Sequence, residues 1–306
     1  MAMSFSEEQV IEVLAQVFGS SDSRVLLGIG DDAAVVQGSA QQILTTDVAV
    51  EGVHFRSDWS TAHEIGQRIA AANIADVLAM NGTCDFLLVA ATLTGRESLD
   101  WIRGLAQGIQ DQATTAGAVV VGGDLASSQT LSIAITAVGH ADEVIGRRGA
   151  KPGDTIYLSS LTGWSAAGLS MLQSGKHLSE KAIARYKVPQ IDHTVDFSRA
   201  TSMSDVSDAV MVQGAQMAKA SGVGFSLDLT LIEKAEGFDE LFEIANQMGA
   251  EVLEWILQGG EDHVLLATGV DLPGIAIGSV YEGSGISLIH NMKEIKMAPV
   301  SWSHFS

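Results

Sequence analysis

Cysteine is almost absent: Cys84 is the single one among 306 residues. One thiol cannot close an internal disulfide, and it excludes the multi-cysteine signatures of zinc sites. A reducing, cytosolic compartment fits that scarcity. Basic side chains are few as well, 17 against 37 acidic ones, for a net charge of −20. A surface of that sign repels nucleic acid and anionic membranes, so neither is expected as a partner. It would also repel phosphorylated substrates unless cations mediate. No run of about 18 apolar residues occurs to span a membrane. The opening "MAMSFSEEQV" has acids where a secretory leader needs bases and an apolar run, and "SHFS" carries no lipidation box, so neither leader nor anchor is expected. Three catalytic signatures are missing: the G-x-x-x-x-G-K-[ST] phosphate loop, the H-E-x-x-H zinc helix and the G-x-S-x-G nucleophile elbow.

What is present is a globular composition, 46% apolar and 18% charged. The length allows one large domain or two ordinary ones. Ser6-Glu7-Glu8-Gln9 forms a capping box ahead of Val10, Leu14, Val17 and Phe18 at helical spacing. "RVLLGIG", "AAVVQG" and "QQILTTD" predict strands, 61–81 a helix, "CDFLLVAATL" a buried strand, and 97–116 a helix. "GAVVVGGD" and "LSIAITAVGHA" predict two further strands. The segment "GRRGAKPGD" then breaks the rhythm, placing a boundary within 140–153. A second series follows: strand "TIYLSS", a helix from about 163, another around 205–221, strand "GFSLDL", helices over 231–257, and strands "HVLLAT" and "GIAIGSVYE". Both halves mix strands and helices, so the fold class is α/β or α+β in two domains, 1–145 and 146–306.

Aspartates recur where apolar runs end. Asp31 and Asp32 follow "LLGIG", Asp47 closes "ILTTD", Asp76 sits in "NIADV", and Asp124 closes "VVVGGD". Asp205 and Asp208 share one face if "SDVSD" is helical. Taken singly, each reads as an ordinary cap, turn or solvated face. Several at strand ends can converge on one sheet edge, where carboxylates must protonate or bind cations. Hard cations such as Mg²⁺ take oxygen ligands of this kind, and Thr45 and Thr46 could add theirs beside Asp47. "GIGDDA" is a poor dinucleotide loop, because a strand and not a helix follows the glycines. "VVGGDLASS" reads as a glycine-rich turn in which Gly122 and Gly123 let backbone N–H groups approach a phosphate, or as a plain tight turn. His54 stands seven residues past Asp47, close enough to serve the same edge. His63, His140 and His263 are isolated and read as surface or satisfied core residues. Trp302 reads as packing, or as a platform for a cationic ring.

In order along the chain, "GIGDDAAVV", "TTDVAVEGVHF", "NIADVLAM", "VVGGDLASS", "RRGAKPGDTIYLS", "GWSAAGL", "SDVSDAV", "SGVGFSLDL", "GGEDHVLLAT" and "SWSHF" resemble the thiamine-monophosphate kinase family. That family belongs to the ATP-binding superfamily of aminoimidazole ribonucleotide synthetase. The resemblance runs from residue 28 to the C-terminus. It implies transfer of the ATP γ-phosphoryl group to thiamine monophosphate, giving thiamine diphosphate and ADP. It implies several Mg²⁺ ions on Asp32, Thr45, Thr46, Asp47, Asp76, Asp124 and Asp205, with Asp208 on a further ion, Asp31 beside them, and K⁺ as an additional candidate cofactor. It places Gly123, Asp124, Arg147 and Ser207 against ATP, and His54, Glu261 and Trp302 against the thiamine substrate. It gives the N-terminal domain ATP and metal binding and a dimer barrel, and lets the C-terminal domain complete the site of a cytoplasmic homodimer.

The chain departs from the family pattern in several places, among them "NIADVLAMNGT", looser than the usual Asp-Leu-Ala-Ala-Met-Gly run. Ala209 replaces a usual Gly, His263 and Val264 replace Tyr and Glu, and Leu125 replaces Thr. Two sister enzymes are disfavoured, because selenophosphate synthetase carries a reactive residue near its N-terminus and the hydrogenase-maturation relative ends in Cys. Aminoimidazole ribonucleotide synthetase and a catalytically silent metabolite- or metal-binding relative stay as alternatives. The acceptor is a phosphate monoester, already anionic near pH 7, so no side chain need deprotonate it. Direct in-line transfer without a phosphoenzyme is therefore expected.

Overall fold

A computed structural model of the chain describes residues 6–29, 33–191 and 195–295. It divides into two compact units, one of residues 1–78 and 82–142, the other of residues 79–81 and 143–306.

The first unit opens with α1 (Glu7–Phe18), capped by the Ser6 and Gln9 reciprocal bonds expected from the sequence. β1 (Val25–Leu27) and β2 (Val35–Val36) pair antiparallel. Then follow β3 (Ile43–Val50), α2 (Ala62–Leu78), β4 (Thr83–Leu93), α3 (Leu99–Ala116), β5 (Val119–Ser127) and β6 (Ser132–His140). The four long strands form one sheet in the order β3-β6-β4-β5. β4 and β5 run parallel because α3 carries the chain back between them; the other pairs are antiparallel. Ser98 caps α3 at its start and left-handed Gly117 ends it, while Ile102, Leu105, Ile109 and Ala113 make its buried stripe. α2 lies on β3 and β6, and α3 on β4 and β5. Ile133, Ile135 and Ala137 of β6 point to the helix side and are fully buried. The opposite sheet face carries Leu44, Val48 and Leu88, which are 65%, 53% and 37% exposed.

The second unit holds β7 (Thr155–Leu158), α4 (Trp164–Ser174), α5 (Glu180–Lys187), β8 (Ser202–Asp205), α6 (Val210–Ser221), β9 (Gly224–Asp228) and α7 (Leu229–Ile232). It continues with α8 (Phe238–Met248), α9 (Val252–Gln258), β10 (Leu265–Gly269), β11 (Ile275–Tyr281), β12 (Gly285–His290) and β13 (Lys293–Ile295). Its sheet runs β13-β12-β9-β11-β7-β10-β8, antiparallel except for β12 beside β9. The core joins Ile156, Leu158, Phe225, Leu227, Leu266 and Ile277 of the strands to Ala167, Met171, Val210, Met217, Leu241 and Ile256 of the helices. The mixed α/β class read from the sequence is the observed one.

Two local expectations are corrected. "SDVSD" is not helical: Asp205 ends β8, which pairs with β10 through Leu265, and α6 begins only at Val210. Strand pairing with a segment sixty residues away overrides the local i, i+3 spacing. Nor is "VVGGDLASS" a turn, since β5 continues through it to Ser127 and neither Gly122 nor Gly123 has positive φ. Gly123 serves close approach instead. A Cβ there would stand 1.8 Å from the Val89 carbonyl oxygen of β4.

Candidate active site

β3 divides its candidates between two faces by simple alternation. Asp47 pairs with Ile135 and Thr45 with Ala137, so both lie on the helix side. There α2 brings Asp76, whose Oδ2 accepts a 2.7 Å hydrogen bond from Thr45 Oγ1. One turn earlier on α2, buried Asn73 accepts from the Asp47 backbone N–H through Oδ1 and donates to the Ile69 carbonyl. Thr46 faces the other way and donates to the Ile135 carbonyl, while its hydroxyl accepts from Thr136 Oγ1. His54 sits in the turn after β3, where its Nδ1 accepts from the Val50 N–H at 3.1 Å.

Gly123 and Asp124 stand on β5, at the far edge of the same sheet. Asp124 is opposite Ala90, Ala90 opposite Ala134, and Ala134 opposite Val48. That row lies on the open face, about 14 Å wide across three strand spacings. The first unit therefore gathers Thr45, Asp47 and Asp76, and keeps Thr46 and Asp124 apart from them. Among the described residues no three of His, Cys, Asp and Glu gather into a metal-holding group. Asp31, Asp32 and Trp302 lie outside the described residues. Thr45 Oγ1 and the Asp76 carboxylate meet, and Asp47 shares their side of the sheet; oxygen donors of this kind suit Mg²⁺.

In the second unit the segment "GGEDH" wraps the residues after β8. Glu261 N–H donates to the Ser207 carbonyl at 2.6 Å, and His263 N–H to that of Val206 at 3.0 Å. Glu261 and His263 both hold left-handed backbones, φ +66 and +52, which non-glycine residues rarely adopt. Between them, buried Asp262 turns inward and accepts from the N–H groups of Gly163 and Ser165 at 2.7 and 2.9 Å. It thereby caps α4, whose N-cap glycine has no side chain. Burial pushes the Asp262 carboxyl up to about 6 against those two bonds.

His263 is buried beside Asp205, with Nδ1 3.4 Å from Asp205 Oδ2 and Nε2 3.8 Å from Glu261 Oε2. Burial pulls its pKa down, but the two carboxylates outweigh it and push the imidazole up to about 10. The isolated histidines thus divide. His63 pairs at the surface with Asp111 and half-buried His140 with buried Asp85, while His263 stands inside the candidate site.

Gln213, buried on α6, accepts from the Ala209 N–H and donates to Asp208 Oδ2 and Ser207 Oγ. It holds the loop that carries two candidates. Ala209 has φ −177, ordinary extended backbone, so replacing glycine there strains nothing. Arg147 Nε donates to Ser204 Oγ at 3.2 Å, which places it beside β8. Asn73, Gln213 and Asp262 are absent from the residues singled out by sequence. Two had a readable signal: Asn73 and Gln213 are amide side chains on helix positions otherwise apolar, three and five residues from a candidate aspartate.

Residues 30–141 match the family described as AIR synthase related protein, N-terminal domain. The thiamine-monophosphate kinase of Corynebacterium glutamicum is 36% identical over 283 residues, 86% of this chain and 81% of that one. The crystal structure of thiamine-monophosphate kinase from Stenotrophomonas maltophilia superposes with a TM-score of 0.78 at 27% identity, covering 94% of this chain and 97% of the other. A structure described as AaThiL complexed with AMPPCP and TMP matches the full length of both chains, with a TM-score of 0.77 at 28% identity. Likeness of this extent, in sequence and in fold, makes the chain a member of the thiamine-monophosphate kinase family.

Proposed function

We propose that this chain transfers the γ-phosphoryl group of ATP to thiamine monophosphate, producing thiamine diphosphate and ADP. The observation that carries the reading is the end-to-end match to a relative solved with an ATP analogue and TMP. The site residues described above support it. Thr45, Asp47, Asp76, Asp124, Asp205 and Asp208, with Asp32 and Thr46, are the oxygen donors for Mg²⁺, and K⁺ is a further candidate. Bound Mg²⁺ would neutralise two polyanions and so permit their approach. Thr45 orients the Asp76 carboxylate, Asn73 fixes the Asp47 backbone, and Gln213 steadies Ser207 and Asp208. Gly123, Asp124, Arg147 and Ser207 face ATP in this reading, and His54, Glu261 and Trp302 face the thiamine substrate. Transfer is in line, with no phosphorylated side chain on the path.

The exposed Leu44, Val48 and Leu88 on the helix-free face of the first sheet support a homodimer closed through that face. No helix among the described residues is long and apolar enough to cross a membrane. The single buried cysteine supports a cytoplasmic setting. A coupled ADP-release assay tests the function. Turnover should require thiamine monophosphate, ATP and Mg²⁺ together; ADP release indifferent to thiamine monophosphate would defeat the proposal.

A further inference from the structure

Both nitrogens of the His263 ring face a carboxylate, and the two carboxylates belong to different jobs in the reading above. Asp205 is a cation ligand there, and Glu261 contacts the phosphomonoester substrate. We infer that His263 is a positioning residue that bridges Asp205 and Glu261, so that cation binding and acceptor binding are linked through one imidazole. The inference rests on the function proposed above.

The ring is held in place. His263 donates its N–H to Val206, its backbone is left-handed, and the side chain is buried. Its Nδ1 sits 3.4 Å from Asp205 Oδ2, at the long end of a hydrogen bond. Its Nε2 is buried and has no hydrogen-bond partner, and Glu261 Oε2 lies 3.8 Å from it. A buried ring nitrogen left in that state calls for an explanation. The Glu261 side chain is 43% exposed, the most accessible of the three. A shift of about 1 Å would close its bond to Nε2. Because the ring is rigid and planar, drawing Nε2 toward Glu261 changes the angle and length of the Nδ1 contact to Asp205. The reverse holds as well: drawing Glu261 away toward a substrate releases the ring to Asp205. A tyrosine, expected at this position from the family resemblance, carries one polar atom and could serve only one of the two acids. The link is therefore a property of this chain's own histidine.

The test is Mn²⁺ binding to the full-length protein, followed by the electron paramagnetic resonance signal of free Mn²⁺. Five proteins are compared: the unmodified chain, Glu261→Gln, His263→Phe, the double variant, and Asp205→Asn. Removing the Glu261 charge should change the Mn²⁺ dissociation constant by at least about threefold in the unmodified chain and leave it within about 1.5-fold in the His263→Phe background, the non-additivity expected of coupled neighbours. His263→Tyr fills the site with a polar ring and provides a second background if His263→Phe folds poorly; it should abolish the link too. Equal Glu261→Gln effects in every background, or none in the unmodified chain, overturn the bridge. Asp205→Asn separates the two levels. If it binds Mn²⁺ like the unmodified chain, the cation reading of Asp205 falls and takes the bridge with it. If it loses Mn²⁺ while the Glu261→Gln effects are equal, only the bridge falls.

Discussion

Asp262→Asn sets two opposing forces against each other at one buried carboxylate. Two backbone N–H groups of the α4 start point at it and favour the charged form; burial favours the neutral form. Burial dominates if the carboxyl titrates at about 6 in the folded chain against 3.8 in the reference state. That difference of about 2.2 units corresponds to about 3 kcal/mol. A folded pKa above the unfolded one means that the folded chain holds its proton longer. The stabilisation is thus complete below about 3.8 and is lost as pH rises through about 6. Asn cannot ionise, so the stability of the unmodified chain minus that of Asp262→Asn isolates the effect. Measured by urea unfolding from pH 4 to 6.5, this difference should fall by about 2 kcal/mol. The window stops at 6.5 so that His263 stays protonated in the folded chain of both proteins. The absolute difference also contains a fixed cost, because the Asn amide can accept only one of the two N–H bonds; that cost does not vary with pH. A difference that stays flat or grows with pH would refute the reasoning and show that the two N–H groups outweigh burial.

Thr45→Val keeps the side-chain shape and deletes the bond to Asp76, a hydrogen bond to a charged group worth about 1.5–3 kcal/mol. The Mg²⁺ concentration giving half-maximal ADP release should rise about tenfold, and an unchanged value would remove Thr45 from the cation set. Gly123→Ala places a methyl group 1.8 Å from the Val89 oxygen, forcing β4 and β5 apart. It should cost about 2–4 kcal/mol in urea unfolding, and a shift under about 0.5 kcal/mol would mean that the strands give way freely. Leu44→Asp with Val48→Asp charges the open sheet face. Sedimentation should then report a monomer, and an unaltered mass would place any dimer contact elsewhere.

The sequence exposed those features that a short window encodes. The capping box of α1, the buried stripe of α3 and the alternation of β6 each follow from neighbours within a few residues. β8 lacked such a signal. Ser-Met-Ser-Asp has no apolar alternation, and its strand character comes from pairing with β10. Gly122 and Gly123 carry the signature of a turn, yet both continue β5, and Gly123 lies hard against the Val89 backbone on the next strand. Within the site, "TTD" and "NIAD" were legible through the family resemblance, with Asp47 closing an apolar run and Asp76 inside a helical segment. "GGEDHV" was legible as a motif while the division of labour among its three polar residues was not. Glu261 faces partly outward, Asp262 caps a helix about a hundred residues upstream, and His263 meets Asp205 on another strand.

The same limit applies to acids at the ends of apolar runs, which sequence alone cannot sort. Asp85 lies within β4 as Asp47 lies within β3, and Asp154 directly precedes β7, yet Asp85 and Asp154 are buried in structural roles. Asp85 takes Arg24 and His140, and Asp154 accepts from the Lys151 N–H and the Thr201 hydroxyl. Partner chemistry separates Asp85, though not Asp154, from Asp76. Arg24 brings a positive charge that cancels the carboxylate it orients. The Thr45 hydroxyl orients Asp76 through a neutral donor. With a net charge of −20, such acids repel one another, and a bound divalent cation relieves that repulsion most where two of them share a hydroxyl-lined edge. The acidity that appears hostile to two phosphate substrates is therefore what would draw in the ions that carry them.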